Sequence, residues 1–134
     1  IVGAGAAGGL ASGLMVFAEA KMCSGVAIIV EETQLVDHIA KADYVFTGEG
    51  GIDFQTKFGK TPFGVAQVAK QLNTPVICCA GHIGEGIDEL YAEGFTAIVG
   101  ILDGVCDLET ALKNGEKNLE RTCENVARII KQTE

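Results

Sequence analysis

The densest concentration of chemically useful side chains runs over residues 47–62, Thr-Gly-Glu-Gly-Gly-Ile-Asp-Phe-Gln-Thr-Lys-Phe-Gly-Lys-Thr-Pro. Its glycines leave backbone N–H groups open to an anion. Glu49 and Asp53 have the chemistry to take a proton or to hold a hard cation such as Mg²⁺. Gln55 and Thr56 offer hydrogen bonds to hydroxyl groups, and Lys57 and Lys60 offer positive charge to a phosphate or carboxylate. Pro62 marks the start of a helix, whose N-terminus also favours negative ligands. Spacing alone allows a second reading, a long turn with a solvated charged surface.

Two further segments carry weaker signals. Gly3-Ala4-Gly5-Ala6-Ala7-Gly8 matches G-x-G-x-x-G and is followed by a helical stretch and then, after an apolar run, by Glu31 and Glu32. Phosphate or anion contact through Gly3, Gly5 and Gly8 is one reading; a turn that lets a helix pack closely is the other. A true NAD site needs a strand in front of the glycines, and only Ile1 and Val2 precede them. His82 follows an apolar run directly, so it is either an acid, base or phosphate donor or a structural histidine.

These residues need a frame. Short β-branched or apolar runs at 44–47, 75–80 and 96–102 read as strands, each leading into a glycine-bearing loop. They alternate with helical periodicity at 64–72 and 86–92, which is the pattern of an α/β fold round a parallel sheet. The tail, 107–131, repeats apolar residues at helical spacing, with a break expected at Gly115. Residues 25–30 are ambiguous; their β-branched content favours a strand, but Ser24 in front favours a helix, and helix is the assignment adopted. Loops after parallel strands gather at one sheet edge. Glu49 and Asp53, His82 and Glu85, and Asp103 and Asp107 are therefore expected to meet there.

Composition narrows the function classes. A chain of 134 residues with 48% hydrophobic content can bury the core of one domain. The net charge of -8 argues against a general nucleic-acid binder, and no apolar run is long enough for a membrane-crossing helix. Five cysteines, odd in number and without a C-x-x-C pair, suit reduced thiols and hence a cytoplasmic location. The absence of an initiator Met before Ile1 suggests an internal cut.

Taken in order and spacing, the 3–10 glycine segment, Thr47 through Thr56, Gly59-Lys60-Thr61-Pro62-Phe63-Gly64-Val65-Ala66, Ala80-Gly81 and the closing Glu120-Arg121-Thr122-Cys123-Glu124-Asn125-Val126-Ala127 resemble class I glycerate kinases. The resemblance implies phosphorylation of D-glycerate by ATP with Mg to phosphoglycerate, usually at the 2-hydroxyl. It also implies a two-domain protein with a flavodoxin- or Rossmann-like three-layer α/β domain, a second α/β domain inserted in it, and a catalytic cleft between the two. This chain would be the C-terminal portion, roughly the last third. Residues 1–40 would end the inserted domain or cross over from it, and 41–134 would belong to the flavodoxin-like domain. Such a fragment is expected to be inactive without the rest of the kinase chain, and its exposed cleft surface could support a homodimer.

On this reading Asp53 is the general base or a metal ligand, Glu49 the metal-side carboxylate, and Lys60 the contact to phosphate or to the glycerate carboxylate. Gly3, Gly5, Gly8 and Gly48 approach anions through their backbones, while Gln55, Thr56 and His82 bind substrate or phosphate. The sequence departs from the family at Gly51, where members commonly carry Arg, the natural fork for a carboxylate. Two rivals stand beside this reading: a nucleotide- or anion-binding α/β module without catalysis, and a fragment of an NAD-binding oxidoreductase.

Overall fold

In a computed structural model describing residues 5–133, three parallel strands, β1 (Val45–Ile52), β2 (Val76–Ile83) and β3 (Ala97–Gly100), form one sheet in the order β1-β2-β3. Before the sheet come α1 (Ala6–Phe17), α2 (Gly25–Glu32) and α3 (Leu35–Ile39). A single 3-10 turn (Phe54–Lys57) and α4 (Thr61–Gln71) connect β1 to β2, and α5 (Asp88–Ala92) connects β2 to β3. The chain then runs through α6 (Leu108–Lys113) and α7 (Gly115–Thr133). The expected three-layer α/β architecture with a parallel sheet is what forms.

Side chains alternate across a strand, and β2 shows the consequence. Val76, Cys78 and Ala80 join Ala66 and Ala69 of α4 and Leu90 of α5 in the buried core. Cys79, facing the other way, meets Cys123 of α7 at 4.0 Å between sulfurs. Parallel crossovers are right-handed almost without exception, so a strand order that advances in one direction sends both connections to the same face. The opposite face is left to the elements after β3.

Local rules account for the ends of α4. Pro62 occupies its first turn, where a missing N–H costs nothing. Gly94, at φ 113°, reverses the chain after α5 so closely against Ala66 O that a Cβ would come within 2.6 Å of it. Gly64 lets α2 settle on α4, since a Cβ there would lie 1.9 Å from Val26 Cγ1.

Three expectations change. Two strands are longer than their apolar runs and the third is shorter: β1 continues through Gly48-Glu49-Gly50-Gly51 to Ile52 and β2 through Gly81 and His82 to Ile83, whereas β3, expected over 96–102, spans only Ala97–Gly100. The glycine segment expected to be a loop is therefore paired strand, with Glu49 opposite Ala80 and Gly51 opposite His82. Ladder hydrogen bonds from β2 override the weak strand propensity of glycine. The third change concerns the dinucleotide fingerprint: α1 is followed by α2, ending at Glu32, instead of by a strand with an acid at its tip. That is not the βαβ context the motif needs, and the NAD-binding alternative loses its support. Helix at 25–30, adopted over strand, is what the chain forms.

Candidate active site

Asp53 lies immediately beyond the end of β1 and caps the 3-10 turn. Its Oδ1 accepts from Gln55 N at 2.9 Å, and its own N–H donates to Thr56 Oγ1 at 3.2 Å, a reciprocal capping box. Thr56 is wholly buried. It therefore positions Asp53 and is not available to a substrate hydroxyl, which corrects its expected role. Gln55 remains exposed beside it. Two backbone bonds tie this turn to the end of β2, Gly84 N to Ile52 O at 2.8 Å and Phe54 N to Glu85 O at 3.1 Å.

Lys60, at the N-cap of α4, reaches back over the strand end. Its Nζ donates to Gly51 O at 3.0 Å and lies 3.9 Å from both Glu49 Oε1 and Asp53 Oδ1. One ammonium thus holds two carboxylates that would otherwise repel. Glu49 Oε2 is buried and has no hydrogen-bond partner among the described residues, a costly state for a charged oxygen. The other loop cation, Lys57, is engaged elsewhere: it pairs with Glu89 at 2.6 Å and lies 5.6 Å from the centre of the Phe58 ring. That bond holds the Glu89 carboxyl below its ordinary range.

His82 is exposed, opposite Gly51. The third loop contributes less than expected. Asp107 caps α6, accepting from Thr110 N at 2.8 Å and Thr110 Oγ1 at 3.2 Å, which lowers its pKa. Asp103 is turned toward Arg121, 3.7 Å away. Arg121 also donates to Ile101 O at 2.8 Å, so a residue not singled out for any role pins the loop after β3 to α7. Its place in the helical repeat, between apolar positions, was the available signal.

Gly48 sits within β1, where a Cβ would lie 2.8 Å from Cys79 O; strand packing explains it without an anion. Gly5 and Gly8 are exposed at the start of α1 and do not line either cavity described below, and Gly3 lies outside the described residues. The structure thus brings Glu49, Asp53, Lys60 and His82 to one sheet edge and leaves Gly5 and Gly8 out of it.

Two cavities flank the sheet. One of about 700 Å³ lies among α2, α3 and α4 and touches none of Glu49, Asp53, Lys60 and His82. The other, about 900 Å³, opens between the sheet and α6–α7 and is lined at the strand ends by Glu49, Gly50 and His82. Its walls include Phe46, Leu102, Leu108, Leu112 and Leu119, which sequence reasoning did not pick out: helical spacing shows which face of α6 and α7 is apolar, not that this face stands away from the sheet. Burial pushes the Cys79 thiol there up to about 12, with Cys123 adding to the effect. Burial, then the charge of Glu49, pushes Cys78 up to about 11.

No group of three or more His, Cys, Asp or Glu among the described residues forms a ligand set for a metal ion. Two carboxylates, one with an orphaned oxygen, do fit an ion of the magnesium type, which takes one or two protein carboxylates and fills its sphere with phosphate oxygens and water. No described helix is long and apolar enough to cross a membrane.

The family model described as the glycerate kinase family matches residues 1–131. Over 128 residues the chain is 44% identical to the glycerate kinase of Haemophilus influenzae, covering 96% of this chain and 34% of that protein. Over 130 residues it is 38% identical to the glycerate 2-kinase of Escherichia coli K12, covering 97% and 34%. It superposes with a TM-score of 0.76 and 42% identity on a crystal structure, from Salmonella typhimurium LT2, of a protein provisionally assigned as glycerate kinase 2, covering 98% of this chain and 33% of that one. The chain spans about a third of the length of these relatives. The expected extent is met, but the matches do not support the expected placement at the C-terminal end.

Proposed function

Since this chain belongs to the glycerate kinase family, we propose that it carries the acidic rim of a kinase that transfers the γ-phosphoryl group of ATP to the 2-hydroxyl of D-glycerate. The observation behind the proposal is the meeting of Glu49 and Asp53 at the end of β1 about one ammonium, each carboxylate 3.9 Å from Lys60 Nζ. Phosphoryl transfer asks a protein mostly for position and charge neutralisation, plus a carboxylate to orient the attacking hydroxyl. The hydroxyl oxygen forms a bond to the γ-phosphorus as the bond to the β-γ bridging oxygen breaks, releasing ADP, and the hydroxyl proton passes to Asp53.

Asp53 suits that role because its capping box fixes the carboxylate while leaving it part-exposed. Lys60 can exchange a carboxylate partner for the glycerate carboxylate or a phosphate oxygen without moving its backbone, and Gln55 and His82 stand at the same edge to bind hydroxyl or phosphate oxygens. A magnesium ion would be held by Glu49 as the metal-side carboxylate, with Asp53 as a second ligand only if it is not the base, and would offset the charge of the β- and γ-phosphates. The other two-thirds of the relatives' length supplies the opposing wall of the cleft, and residues 1–40 are read as the end of the inserted domain or a crossover segment, which lends Ile39 to the core of the sheet-bearing 41–134. A cytoplasmic location accords with five free thiols.

A coupled assay of ADP release from the intact protein with D-glycerate and Mg-ATP tests the proposal. Asp53→Asn is expected to lower turnover by about 10²- to 10⁴-fold, the usual worth of a positioned acid-base group. Normal turnover in Asp53→Asn removes the assignment; no glycerate-dependent ADP release from the unsubstituted protein removes the function.

A further inference from the structure

The cavity between the sheet and α6–α7 is continuous with the acidic rim through Glu49, Gly50 and His82, yet phosphoryl transfer as derived above uses none of its apolar walls. At about 900 Å³ it lies in the range of small-molecule sites. Its floor is largely bare backbone. At Gly48 and Gly81 a Cβ would come within 2.8 Å of a neighbouring carbonyl oxygen, so no side chain can project there. Its walls are large and open: Leu108 and Leu112 are each 74% exposed and Phe46 45%. A flat peptide floor between aliphatic and aromatic walls fits a planar heteroaromatic ring.

Charge sets the polarity of the occupant. The lining residues include the acids Glu49, Asp107 and Glu116, the Glu49 carboxylate itself being turned to Lys60, and, among the described residues, no Lys or Arg. A phosphate entering this space would meet repulsion, whereas an uncharged ring and sugar would not. At the β1 end the cation is Lys60, on the rim itself; at the β3 end Arg121 is taken up by Ile101 O and Asp103. We propose that this cavity seats the purine and ribose of the nucleoside triphosphate, with the phosphates extending out of it to Lys60 and the Glu49–Asp53 pair. The proposal rests on the kinase reading for its triphosphate, but the seating of a nucleoside is testable without any turnover.

Cys106 lines the cavity and is exposed, while Cys23 is exposed and lines neither cavity. The pair gives an internal reporter and control. In the intact protein treated with a maleimide and read by peptide mass spectrometry, adenosine or ADP is expected to slow modification of Cys106 about 10-fold and leave Cys23 unchanged, as tenfold occupancy excess requires. Leu112→Glu, at an exposed position that tolerates a polar side chain, is expected to abolish the protection. It should also raise KM for ATP about 10-fold while KM for glycerate stays within about twofold. Unchanged Cys106 modification at saturating adenosine and ADP overturns the proposal, as does a Leu112→Glu protein whose KM changes for glycerate and not for ATP. Normal glycerate-dependent ADP release with Cys106 unprotected sinks the nucleoside seat alone. Protection of Cys106 without glycerate-dependent ADP release sinks the kinase reading alone.

Discussion

On one face of the sheet Val76, Cys78 and Ala80 disappear beneath α4 and α5, while on the other Phe46 stays half exposed and Gly48 and Gly81 present backbone to a cavity. Both faces belong to the same strands, and both have apolar helices beside them. The difference comes from how each helix arrives. The crossover helices are tethered at both ends by strands of this sheet, so their small residues, Ala66 and Ala69, are drawn into close contact. Helices α6 and α7 are joined to it by the chain only after β3, and α7 is held by the Arg121 bond to Ile101 O and by the Cys79–Cys123 contact to β2. A parallel sheet normally has both faces covered; here one covered face makes a core and the other leaves a cavity.

Cutting a large side chain on each face is the strongest way to break this comparison. Leu90→Ala, on the closed face, is expected to cost about 2–5 kcal/mol in urea unfolding, the range for a buried leucine that leaves a cavity. Leu112→Ala, on the open face, should stay within about 0.5 kcal/mol. Equal losses would mean that the open face is as well packed as the closed one. Glycine substitutions sharpen the same contrast at lower amplitude. Gly81→Ala forces a methyl within 2.8 Å of Gly50 O and is expected to cost about 1–3 kcal/mol. Gly51→Ala, where a Cβ meets nothing within 4 Å, should change stability by less than about 0.5 kcal/mol.

The smallest effect is a pH dependence. Burial raises Cys78 to about 11 and Cys79 to about 12 from an ordinary 9.0. The folded protein therefore holds these protons more tightly than the unfolded chain. Their contribution is fully present below pH 9 and is lost as pH rises through 11–12, so the melting temperature should fall across that window. Cys78→Ala, which removes the thiol on the closed face, should flatten the fall. An unchanged slope in that variant would show that the thiol is not the titrating group.

Much of the frame was legible beforehand. Apolar runs located the starts of all three strands, helical spacing located α4 and the α6–α7 pair with its break near Gly115, and the Glu49–Asp53–Lys60 cluster was marked by residue type. Strand ends were not legible, because glycine propensity says nothing about the partner strand that makes Gly48 to Ile52 part of a ladder. Thr56 was misread for a related reason: a hydroxyl in a polar segment has the same sequence signature whether it faces solvent or caps its neighbour. The glycine motif at the N-terminus was over-read, since its meaning depends on a strand–helix–strand context that α2 does not supply.

By itself the sequence determined the α/β class, the parallel order of alternating elements and the identities of the acids and cations at the rim, because these follow from periodicity and composition, which are local. Tertiary structure decided which lysine serves the carboxylates, Lys60 and not Lys57, and which sheet face closes and which opens. Those outcomes depend on distances between segments far apart in the chain, and they are set by strand register and crossover geometry that no local pattern encodes.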